Sequence, residues 1–234
     1  MLDKMFNYEN PVWQFMNRVA DLLILNIIFL IFSLPIVTIG ASYTALTYVT
    51  VKIVRKEDTY VWKEFWNSFK NNFKQATIMW LIMLAFIVML SLDLFLWYVD
   101  PTTLPKALKV TTVIVVLIIA TLSIYAFPIL SHFDNTVRNT FVNAFLVALI
   151  NIPYTIFFIL VMVVPLVAVI FQPTLMMGFA LIGFSGPALL AALGWSKLFK
   201  KLEPPKEEVL EENSEDGEEG IETDSIVEED SIDE

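Results

Sequence analysis

The sequence contains no cysteine and only one histidine, His132. Disulfides, thiolate chemistry and cysteine-rich metal or cluster sites are thereby excluded, and no metal or cofactor is expected. Charge is scarce as well: Asp, Glu, Lys and Arg make up 17% of the chain, where ordinary soluble domains carry about a quarter. The chain lacks a GxxxxGKS/T phosphate loop, an HExxH pair and a GxSxG elbow, and no two carboxylates are placed to share one intramembrane face. No catalytic residue is assigned, and a non-enzymatic protein is expected. The basic residues are too scattered for a nucleic-acid footprint.

What the sequence has instead is long apolar runs. Hydrophobic residues are 57% of its 234, the mean hydropathy is +0.67, and 19 Phe outnumber the 15 Lys and Arg together. A soluble domain of this size could hide one or two such helices, not five or six, because its surface needs a polar covering. The start of the chain shows no compact basic region and no small-residue cleavage pattern, so no cleaved leader is expected. The composition predicts an all-α, polytopic membrane protein.

Six transmembrane helices are favoured, at residues 19–35, 36–53, 76–99, 107–130, 141–167 and 175–195. The second is the ambiguous one. It has no charge from Pro35 to Val51 but is rich in Thr, Ser, Ala and Tyr. It reads either as a short span wrapped by its neighbours, with Gly40, Ala41, Ser42 and Ala45 allowing close contact, or as a re-entrant helix. The re-entrant reading leaves five spans. Residues 57–75 predict an amphipathic interfacial helix: Trp62, Phe65, Trp66, Phe69 and Phe73 recur at three- and four-residue steps between Lys63, Lys70 and Lys74. "FKNNFKQA" at 69–76 is echoed by "VRNTFVNA" at 137–144, explained either by a repeat or by two helices meeting one boundary.

Charge divides the chain into two domains. Residues 203–234 hold 16 of the 25 acidic residues and one basic residue, Lys206, and predict a disordered acidic cytoplasmic tail. That tail reads as a solvated end or as an arm for a basic partner. The transmembrane domain, residues 1–202, carries 14 basic and 9 acidic residues. With six spans, 12 of those 14 basic residues lie on one side, which the positive-inside rule makes cytoplasmic, together with both termini. With five, the split is ten against four and only the amino terminus changes side.

Polar groups inside apolar helices require a reason. Asn26 lies within the first span, Asn151 within the fifth, and Asp93 toward the outer end of the third. They are the candidates for intramembrane polar contacts. Asn26 and Asn151 suit interhelical hydrogen bonds, and Asp93, one turn from Trp97, reads as reaching the outer headgroups or as a proton or substrate site. Pro128, Pro153, Pro165 and the Gly183–Gly186–Pro187 cluster mark positions where helices kink or break.

In order, the chain presents "SLPIVTIGAS", a basic patch, "FWNSFKNNFKQA", and "YAFPIL" followed by a linker and "NAF". This arrangement resembles the YesL-like bacterial integral membrane proteins, a family of unknown function, over roughly residues 1–200. The resemblance implies a multi-pass protein of the bacterial cytoplasmic membrane with an accessory or regulatory role in carbohydrate uptake. The implied partners are the lipid bilayer, a permease, a sensor or other transport-system subunits, and a second copy of the chain. It carries over no site residues. The alternative is a small-solute membrane transporter, distinguished by whether Asn26, Asp93 and Asn151 converge on a wet cavity.

Overall fold

In the computed structural model the described residues are 11–57, 59–99, 105–172, 174 and 176–202. The expected turn at residues 100–104 and the acidic tail 203–234 lie outside them. Among the described residues every regular element is helical: α1 (Pro11–Ser33), a 3₁₀ turn (Ile36–Thr38), α2 (Ile39–Val54), α3 (Val61–Val99), α4 (Lys106–His132), α5 (Val137–Ile150), α6 (Ile152–Phe171), α7 (Met176–Ile182) and α8 (Ser185–Leu202). Five segments among the described residues are long and apolar enough to cross a bilayer: Met16–Ser33, Ile36–Val54, Val61–Val99, Leu108–His132 and Ile152–Phe171. The chain is a polytopic all-α membrane protein. It divides into two units, Met1–Ser196 and Lys197–Glu234, the second entering the described residues only as the end of α8.

Residues 57–75 and 76–99 were expected as an interfacial helix followed by a span. They form one continuous helix, α3, of 39 residues. At 1.5 Å per residue it is about 58 Å long, nearly twice the hydrocarbon thickness of about 30 Å. Its polar first four turns therefore stand beyond the bilayer as a base instead of lying flat upon it. The aromatic stripe divides accordingly. Phe65 and Phe69 are buried, while Trp62, Trp66 and Phe73 stay exposed. The Phe32 ring, at the end of α1, closes on Trp62, Phe65, Trp66 and Phe69 at centroid distances of 5.1–6.1 Å.

α2 is the most enclosed helix, packed by α1, α3 and α4. Over an apolar stretch of 18 residues in each, 61% of the segment Ile36–Val54 is buried, against 17% for α3 and 6% for α6. The threonine hydroxyls of α2 bond within the helix: Thr44 Oγ1 donates to the Gly40 carbonyl at 2.9 Å, and Thr50 Oγ1 to that of Leu46 at 3.0 Å. Its small residues let α3 approach. A Cβ on Gly40 would stand 2.6 Å from Trp80 Cβ and 2.7 Å from the Ala76 carbonyl oxygen, so only glycine fits. At the other end Lys52 Nζ meets Glu64 Oε2 at 3.0 Å. These two contacts fix the register: α2 runs antiparallel to α3 beside residues 64–80, the base and the first turn of the apolar stretch. Lys56, with φ 59°, then takes the left-handed position that ends α2, and the Glu57 amide closes on the Lys52 carbonyl.

Two expected spans are interrupted. The run 141–167 becomes α5 and α6, parted at Asn151, and α5 with 14 residues is shorter than a span. Pro153 causes the break, since it has no N–H to give and its ring crowds the preceding turn. At the break Thr155 Oγ1 reaches the Ala148 and Asn151 carbonyl oxygens at 3.1 and 3.2 Å and pairs with Tyr125 Oη at 2.9 Å. The run 175–195 becomes α7 and the first part of α8, parted at Gly183–Phe184. Within α8, Gly194 lies against the Phe158 ring of α6, and the fully buried Trp195 stacks beside it at 5.1 Å.

Candidate functional site

Asn26 is fully buried in α1. Its Oδ1 accepts the backbone N–H groups of Phe184 and Ser185, each at 3.1 Å. One amide carbonyl thus caps the start of α8 at the point where the helix is broken, and ties α1 to it. Asn151 sits at the α5–α6 break, where its Nδ2 donates to the Val147 carbonyl at 3.0 Å, a bond within its own turn. Asp93 is half-buried on α3. None of the three lines either of the two cavities described next.

The first cavity, of about 440 Å³, opens where the base of α3 meets the end of α4 and the linker after it. Asn67, Asn71, Lys74 and Gln75 come from α3, Tyr48 from α2, and Ser131, His132 and Asp134 from the other side. Several of these are already held. Ser131 Oγ donates to the Pro128 carbonyl and lies 2.7 Å from His132 Nδ1, while the His132 ring packs on Tyr48 at 5.4 Å. Asn72 Nδ2 donates to the Ser68 carbonyl at 3.0 Å. The remaining amides, the Lys74 ammonium and the Asp134 carboxylate offer donors and acceptors of both kinds, suited to a polar group that is neutral or carries both signs. Among the described residues no three His, Asp or Glu side chains gather as metal ligands.

Reading for polar residues inside apolar runs missed this cluster because it lies in the base, where polarity draws no notice. The signal was the second face of α3. Asn67, Asn71 and Lys74–Gln75 recur at helical spacing opposite the aromatic stripe.

The second cavity, of about 310 Å³, lies between the 3₁₀ turn and the α7–α8 break. Phe29, Phe127, Phe179, Phe184, Trp80 and Met162 dominate its walls. It is the apolar counterpart of the first.

No curated protein and no solved structure matches the chain. One family does, and its match runs from the inner part of α1 through Asp93, taking in Asn26, α2 and the α3 side of the polar cavity. Over residues 22–94 the chain matches the family described as "Protein of unknown function, DUF624".

Proposed function

We propose that the protein is a non-enzymatic accessory or regulatory membrane protein that works with a bacterial carbohydrate-uptake system through its cytoplasmic base. The observation that carries this reading is the way Asn26 is satisfied. A broken helix in a transporter leaves backbone amides for substrate. Here the amides at the break are taken by Asn26 Oδ1. Asn151 is likewise satisfied in its own turn, and the cavity beside the α7–α8 break is apolar. Asn26 and Asn151, each separately paired, beside an apolar cavity suit a protein that binds other membrane subunits better than one that conducts a polar solute. The base supplies what such a protein needs outside the bilayer: exposed Trp62 and Trp66, flanked by Lys63 and Lys70, and the polar cavity on the other face of the same helix. The excess of basic residues at that end supports a cytoplasmic placement. The link to carbohydrate uptake rests on the resemblance to YesL-like proteins.

The test is isolation of the tagged protein at native expression level in a mild detergent or nanodisc, with mass spectrometry of what remains bound. A stoichiometric permease, sensor or ATPase subunit supports the proposal and names the pathway. A protein that emerges alone, or only with itself, sinks it.

The second reading, a small-solute transporter, is favoured by the two helix breaks, at Asn151 and at Gly183–Phe184. Solute flux into liposomes containing the purified protein alone would support it.

A further inference from the structure

The apolar cavity has a composition that selects its occupant. Its walls come from α1, α2, α3, α4, α6, α7 and α8, yet nearly every polar group in them is already paired within the protein. Ser123 Oγ donates to the Ile119 carbonyl at 2.8 Å. Trp80 Nε1 gives its proton to the Ile36 carbonyl at 2.7 Å. The amides exposed by the α7–α8 break are held by Asn26. The exception is Tyr43, whose ring meets Phe127 edge-on at 5.6 Å and whose hydroxyl makes no hydrogen bond among the described residues.

Water needs two to four polar partners to stay in such a space, and these walls do not provide them. Left empty, the aromatic walls would forfeit the contacts that hold them. The surface that leads to the cavity is lipid-facing: Ile36, beside the 3₁₀ turn, is 62% exposed, and Ile182, beside the break, is 46% exposed. The cavity is thus continuous with the bilayer contact of the spanning helices. It lies at the level where Gly40 meets Ala76 and Trp80, the start of the apolar stretch of α3, and so near the depth of lipid ester groups. Moving a hydrocarbon chain from lipid into such a space requires no hydrophobic gain; packing decides it, and lipid is present in great excess.

We propose that this cavity holds one acyl chain of a bilayer phospholipid, with the Tyr43 hydroxyl donating a hydrogen bond to an ester carbonyl of the same molecule. The bound lipid completes the packing between the α1–α2 hairpin and the α7–α8 break.

The test uses the full chain reconstituted in nanodiscs of dioleoylphosphatidylcholine, then transferred to mild detergent for native mass spectrometry. The expected result is one phospholipid retained per chain. Ile124→Phe and Met162→Phe fill the cavity from α4 and α6 and lower retention at least about tenfold, equivalent to about 1.4 kcal/mol. Tyr43→Phe removes an oxygen and no volume; it lowers retention about threefold to tenfold and carries the test if a filled variant fails to fold. Retention of no lipid by the unaltered chain, or equal retention by folded variants, overturns the proposal. Retention of a free fatty acid in place of phospholipid overturns it too, because the occupant would not be a bilayer lipid.

Discussion

At the scale of single residues, the polar side chains inside the apolar helices are used to repair backbone. Thr155 reaches the Ala148 carbonyl near the end of α5, and Asn26 takes two amides freed at the start of α8. An unsatisfied buried amide costs about 1–3 kcal/mol. Asn26→Leu keeps the volume and removes the acceptor, so the variant loses about that much stability, read as a lowered midpoint of thermal or denaturant unfolding in detergent. A midpoint unchanged within error would mean that water or another group caps α8. That Asn26 required a partner was legible in the sequence, since an amide in hydrocarbon must bond to something. Which partner was not legible, because it lies 158 residues away and becomes available only where α7 and α8 are parted.

At the scale of elements, the apolar runs announced the helices but not their interruptions. Residues 141–167 read as one span because a membrane helix often continues through a proline, as α4 does through Pro128. What turns Pro153 into a break is the set of acceptors and donors waiting around it, which only the fold assembles. The reverse holds for α3. The change of pattern at Ala76 suggested two elements, yet nothing there stops a helix, and packing of Phe65 and Phe69 beneath Phe32 keeps the base upright. The register of α2 has a consequence for topology. The turn at residues 34–38 lies beside Trp80, early in the apolar stretch of α3 and some 28 Å, on the order of nineteen residues at 1.5 Å each, short of Val99. A chain turn at that depth places the start of α2 beside the beginning of the apolar stretch of α3 and not at its Val99 end. The absence of cysteine makes this measurable. Leu34→Cys, at a position 79% exposed, is expected to resist a membrane-impermeant maleimide applied at the Val99 face. Rapid labelling from that face would show that α2 crosses completely.

At the scale of the whole molecule, polarity is gathered at one end of the helices. The base of α3, the Lys52–Glu64 pair and the polar cavity occupy the end where α2 finishes and α5 begins. At the opposite end α3 and α4 show mostly apolar side chains, with Lys109 Nζ over the Trp97 ring at 5.1 Å as an interfacial pair. The same asymmetry governs insertion. Basic residues near span ends resist translocation, and Lys52, Arg55, Lys56, Lys63, Lys70, Lys74 and Arg138 share the polar end, whereas Lys106 and Lys109 stand at the other. This holds whether or not α2 crosses, since that choice moves only Lys4 and Arg18. In a chain with no native cysteine, Arg138→Cys in intact cells is therefore expected to be shielded from an impermeant maleimide and labelled once the cells are opened. Lys109→Cys should label before opening. The opposite pattern would turn the protein over and put the polar cavity and exposed tryptophans outside the cell. A partner for the base would then have to be sought among extracytoplasmic proteins.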